Sequence, residues 1–207
     1  GNVDDGQAIV SFDLSEAPDQ VVIDPNGDSL FELDTQLSFD VYTRMVTDCD
    51  HLLGRVQAAA YLIKNGTRIA LDAVDYAYRN EPHFGVRRLF IKYIMSEPHG
   101  KTTRLLLDWL KLETDARVRP LLGLALKTER LDEDGRQIIV DAIAMTDQGS
   151  RVLSALYECL GQQGRAADVP ILKQAVANKK QHEIVRVGAL NGLSRIGVAD
   201  AWKAISH

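Results

Sequence analysis

A helical stripe that returns five times at a nearly constant interval constrains this chain more than any other feature. Residues 183–197 carry its clearest copy. Counting from Val185, small or apolar residues fall at Gly188, Ala189, Gly192, Leu193 and Ile196. Those offsets trace one apolar face of a helix with 3.6 residues per turn, and Gly197 stands where a left-handed cap would end it. The same phase follows Val152 (Ala155, Leu156, Cys159, Leu160), Val118 (Leu121, Leu122, Ala125, Leu126), Val86 (Leu89, Phe90, Tyr93, Ile94) and Val56 (Ala59, Ala60, Ile63). The anchors are 30, 32, 34 and 33 residues apart. An amphipathic unit of that size cannot hide its apolar face alone, so copies at a fixed period stack into a solenoid.

Between these stripes, termed B helices, a second set of apolar rows predicts A helices near residues 38–48, 67–79, 102–113, 134–145, 166–177 and 199–206. Leu105, Trp109 and Leu112 form one such row, and Ser38 is the expected N-cap of the first helix. Breaks recur between helices at 65–66, 98–100, 132–135 and 161–164. Paired helices at this period fit short HEAT-type repeats, since the Thr-Pro-Leu-His of ankyrin and the Trp-Gly-Tyr pattern of tetratricopeptide repeats are missing. The fold class predicted is therefore mostly α: a right-handed α-α superhelix with a short N-terminal β-segment. Residues 1–36 form that segment, a remnant of an upstream β-domain, and 37–207 the HEAT-like repeats. Within 1–36, residues 1–7 read as a polar lead-in. Val10, Phe12 and Leu14 alternate with polar residues as a strand does. The runs 20–23 and 30–33 flank a turn at 24–28, where Pro25 and Asn26-Gly27 preset the bend.

The 207 residues are 45% hydrophobic and 26% charged, with a net charge of −5. That balance disfavours non-specific binding to nucleic acid or anionic membrane, which needs clustered Lys and Arg. No apolar run approaches the ~20 residues of a membrane span. Cys49 and Cys159, the two cysteines, are too few and too far apart in sequence for a disulfide framework, and suit a reducing, cytoplasmic setting as buried small hydrophobes.

The search for chemistry returns no catalytic, cofactor-binding or metal-ligating residue. His99 to Thr103 ends like a phosphate-binding loop, but the glycine needed five positions before Gly100 is Met95. Thr102 is then an ordinary helix cap. His182-Glu183 lacks the second histidine of a zinc helix, with Arg186 in its place, and His51, His83, His99 and His207 have no ligand-like spacing. No nucleophile elbow, dinucleotide fingerprint or Cys-x-x-Cys occurs. Trp109 reads as core; Trp202 lies on the last predicted A helix. Arg87, Arg119 and Arg186 each follow an anchor valine, and Asp50, Glu81, Asp115, Asp147 and Glu183 precede the B helices. In HEAT repeats an Asp and an Arg at such places often build an ionic ladder between neighbours, and a structural ladder is the reading here.

The order Val22 to Gly27, then Leu30 to Leu33, then Asp48-Cys49-Asp50 through Arg55 to Ala59, resembles one junction in particular. It is similar to the passage from the small β-sandwich into the C-terminal helical repeats of zinc aminopeptidases of the aminopeptidase N type. Pro82 to Arg87 resembles that family's second helical repeat. The resemblance implies a non-catalytic C-terminal region that caps the peptidase site or acts as a protein-interaction scaffold. It also implies that any zinc lies in an upstream catalytic domain of the same protein, since the family's zinc helix and Gly-x-Met-Glu-Asn motif match nothing here. The partners implied are that upstream domain and peptide or protein ligands on a concave face formed by the B helices, with no nucleic acid and no membrane. A second reading is a scaffold without peptidase activity, either a free-standing HEAT protein or a relative of the aminopeptidase-like subunit of the general transcription factor TFIID.

Overall fold

In the computed structural model the described residues are 3–4, 7–8, 13–16, 18, 22, 37–97, 100–145 and 148–197. Among them are ten α-helices: α1 Phe39–Asp48, α2 Leu52–Asn65, α3 Arg68–Asn80, α4 Phe84–Ser96, α5 Thr102–Leu112, α6 Arg119–Lys127, α7 Glu133–Ala144, α8 Ser150–Gln162, α9 Val169–Ala177 and α10 Glu183–Ile196. The predicted A and B helices are these, apart from 199–206, which with Trp202 and His207 lies outside the described residues.

Local chemistry explains where the helices begin and end. The hydroxyls of Ser38 and Thr67 and the carboxylate of Asp132 accept from backbone N–H groups three residues on, opening α1, α3 and α7. Gly66 and Gly197 close α2 and α10 at φ of 63° and 70°, the left-handed region that glycine enters without steric cost. At α5 the cap position falls to Lys101, and Thr102 is the first helical residue, fully buried.

Packing sorts the helices into two rows. The B helices α2, α4, α6, α8 and α10 each contact the next B helix, as do the A helices from α1 to α7. Every A helix also packs on the B helix that follows it in sequence. Short connections of three residues join α1 to α2 and α3 to α4, which makes the partners antiparallel neighbours. The core lies between the rows. One apolar cluster runs from Tyr42 to Leu160, and a second from Tyr157 to Ile196 continues it around α8, α9 and α10. Trp109 lies in the first with no exposed surface, stacked on Tyr78 at 3.7 Å between ring centroids. Cys49 and Cys159 are both buried free thiols, and burial pushes the Cys159 thiol up to about 12 against the pull of Lys127.

Two expectations need correction. The first repeat is out of register by two residues: Gly54, not Val56, takes the place of Val86 and Val118, because Arg55 makes the bonds that Arg87 and Arg119 make one and two repeats later. In the N-terminal segment, Val3–Asp4 pairs antiparallel with Gln7–Ala8, where a polar lead-in was expected. Asp13 and Leu14, the described part of the predicted 10–14 strand, are exposed and unpaired in any sheet. Of the other predicted β runs, Val22 alone lies among the described residues, and it packs on the helical core. The runs around it and the turn at 24–28 lie outside the described residues.

Candidate functional site

The densest set of charged groups forms a ladder where A helices end and B helices begin. Arg55, in the first turn of α2, donates through Nε to Glu81 Oε2 at 2.7 Å, and its Nη1 reaches the carbonyls of Cys49 and Asp50. Arg87 repeats this 32 positions later: Nε to Glu113 Oε2 at 2.8 Å, Nη1 to the carbonyls of Glu81 and Pro82. Each arginine thus satisfies carbonyls left free at the end of its own A helix and pairs with the carboxylate that ends the next one. Glu81 and Glu113 are the residues that close α3 and α5. Cys49 and Met145 close α1 and α7 at the same 32-residue step.

The middle rung is the most perturbed group of the described chain. Tyr78 donates its hydroxyl to Glu113 Oε2 at 2.8 Å, and the backbone N–H groups of Thr114 and Asp115 donate to Glu113 Oε1. Burial alone would raise the Glu113 carboxyl, but these donors together with Arg87 outweigh it and hold the pKa below the ordinary value. Tyr78 is driven the other way, by burial first and then by its bond to Glu113. Beside it, Trp109 Nε1 donates to Asp75 at 2.8 Å, and Arg79 pairs with the same carboxylate. A cleft of about 470 Å³ between α3 and α5 opens onto Tyr78, Arg79, Arg87, Leu112 and Glu113.

The third rung is incomplete. Arg119 bonds the carbonyls of Leu110 and Glu113, but the place of the ladder carboxylate is taken by Met145, whose Sδ lies 3.9 Å from Nη2, with Gln148 Oε1 at 3.2 Å from Nε. Burial outweighs the pull of the nearby Glu113 charge and lowers the Arg119 pKa. Arg186 keeps only the carbonyl half of the pattern, donating to Val176 in the last turn of α9. Of the acids expected to build the ladder, only Glu81 does so. Asp115 is turned to Arg117, whose bonds pull its carboxyl down to about 2, and Asp147 lies outside the described residues. The members that sequence reasoning missed, Arg55 and Glu113, were readable as a strict 32-residue series: 55, 87, 119 for arginine and 49, 81, 113, 145 for the helix ends.

Such a cluster is chemically saturated. Every ladder carboxylate already accepts from a cation and N–H donors, which opposes its protonation near neutral pH. Among the described residues no three His, Cys, Asp or Glu side chains converge as metal ligands. His51, His83 and His182 sit instead at the N-cap positions just before α2, α4 and α10, where His182 Nδ1 accepts from the Ile184 N–H at 3.2 Å. Among the described residues, no helix is long and apolar enough to cross a membrane.

No protein-family model matches this chain, and no curated protein matches its sequence.

A second surface differs from the ladder in being unsatisfied. The five B helices carry ten Arg and Lys, three of them (Arg55, Arg87 and Arg119) held in the ladder, against two acids, Glu158 and Glu183. The five A helices carry seven and eight. On the side of α4 turned from the core, Arg88, Leu89, Lys92 and Met95 share one arc, and Leu124 on α6 stands 32 residues beyond Lys92. Of the two acids, Glu158 is occupied by Lys127 at 2.7 Å and Asn191 at 3.1 Å, and Glu183 stands exposed in the first turn of α10.

Proposed function

We propose that this chain is a non-catalytic helical-repeat module whose work is binding: a HEAT-like, right-handed superhelix that presents its B-row face to a protein partner. The observation that supports it best is the pairing of A and B helices into two rows with one long exposed side of B helices. Repeats of this architecture offer such faces to extended partners. The saturated ladder then serves as a clamp between repeats. Two buried thiols fit a reducing, cytoplasmic setting.

The test is selection from a displayed random-peptide library on the 207-residue chain, with hydrolysis of an alanine anilide measured in parallel with and without zinc. Peptide binders and no turnover are expected. Turnover by this chain, or a library exhausted without a binder, overturns the reading.

We further propose, from the resemblance of residues 22–59 and 82–87, that the module follows a β-domain and a zinc aminopeptidase domain in one polypeptide, its N-terminal segment being the edge of that β-domain. Val22 packing beside Gly54 supports a close junction between the two. Reading the gene upstream decides it: a zinc helix within a few hundred residues is expected, and its absence leaves the scaffold reading, including the TFIID-type relative, in its place.

A further inference from the structure

We infer that the B-row face docks an acidic, leucine-containing peptide segment of a partner protein, laid across the helices from α2 to α10. The inference rests on the binding role proposed above and names the chemistry of its ligand.

Charge and apolarity are interleaved on this face. Among the described residues, Lys64, Arg88, Lys92 and Arg151 have no side-chain hydrogen bond or ion pair with one another or with any other described residue. The arginines of α3 and the ladder residues Arg55 and Arg87 are by contrast paired with carboxylates. Cations left without a carboxylate on these helices, while the chain as a whole is acidic, set up a local positive potential that the net charge of −5 conceals. Between them stand exposed aliphatic side chains: Leu89, Met95, Leu124, Ile184 and Val187.

This mixture decides between two anionic partners. A nucleic acid presents phosphates and flat bases, and its binding gains nothing from burying Leu89 or Leu124. A peptide with Asp or Glu beside Leu, Ile or Phe satisfies both components at once, the carboxylates on the arginines and lysines and the apolar side chains on the aliphatic patches. Helices packed at the usual ~9 Å would carry five members across about 36 Å, the reach of roughly 11 residues of extended chain.

The probe is a fluorescent 15-residue peptide of alternating acidic and leucine residues, titrated with the 207-residue chain and followed by anisotropy. A glutamate-only peptide of equal length and a 20-base-pair duplex DNA run beside it. We expect the acidic leucine peptide to bind, its affinity to fall as salt rises, and the glutamate-only peptide to bind more weakly. The double substitution Arg88→Glu with Lys92→Glu should weaken binding at least about tenfold, while Asp72→Lys on the A row leaves it unchanged and thermal unfolding shows both variants folded. Failure of the peptide to bind, indifference to the α4 reversal, or tighter binding of the duplex overturns the inference. Peptides recovered from the random library that cross-link elsewhere would leave the binding role standing while this face falls; an empty library removes both.

Discussion

The two ends of the array hold together by different means. From α1 to α6 the repeats follow one another at 32 residues, and α2 and α4 are each tied to the end of the next A helix by an arginine and a glutamate. At α8 and α10 that Arg–Glu series has lapsed, and apart from the bond of Asn191 to Glu158 the helices meet by close approach of their backbones. A Cβ on Gly161 would lie 2.2 Å from Gly192 Cα, and one on Gly188 would lie 2.5 Å from Ser154 Oγ. The first arrangement fixes register through directional, charge-assisted bonds and tolerates side chains of many sizes between helices. The second gains contact area by removing side chains, so its register is set by shape. One architecture therefore accepts either device, provided that each neighbouring pair has one of them.

Breaking a rung tests the first device most severely. Glu113→Ala leaves Arg87 and Tyr78 without their shared partner and should lower unfolding stability by about 3 kcal/mol in denaturant titration. The same carboxylate gives the pH dependence its sign. Because its folded pKa lies below the ordinary 4.5, its contribution is complete above that pH and disappears as the pH falls through the folded value. Stability of the native chain should thus drop on acidification below 4.5, and Glu113→Gln should flatten that slope. An unchanged slope would mean that the rung carries no linkage.

Gly161→Ala tests the second device. The added methyl meets Gly192 backbone, which cannot rotate away as a side chain could, so a loss of about 2 kcal/mol is expected even after the helix-propensity gain of alanine. Hydrogen exchange should locate the loss in α8 and α10, with α1 to α4 unaffected. Met145→Glu carries the comparison the other way, by restoring the missing carboxylate opposite Arg119; a gain of about 1 kcal/mol is expected. Smallest is Tyr78→Phe, at about 0.5 kcal/mol. Since the phenol is held neutral above its usual 10.0, the native chain also loses that contribution as pH rises beyond 10.0, and the variant should lack this alkaline limb.

Much of the fold was legible in the residues. The stripes at Val86, Val118, Val152 and Val185 are buried in B helices or at their start, and Ser38 and Gly197 cap where local rules put them, because such signals act over three or four residues. The ladder was half legible. Arg87 and Glu81 were named, but Asp115 was taken for Glu113, since both lie just before α6 and only the path of the chain shows which faces Arg87. The first anchor was misplaced because glycine at 54 breaks the apolar pattern that valine at 56 imitates; Gly54 is small because Cys49 Sγ would stand 2.5 Å from any Cβ there. The charged B-row face was hidden in a net charge that averages two rows.

Period, helix positions and caps were thus decided by the sequence alone, because they follow from backbone geometry and from side chains no more than a turn apart. The tertiary structure decided which carboxylate meets which arginine across 26 residues, where glycine lets two helices touch, and which cations remain without partners. Each of these depends on a distance between segments that sequence order does not contain.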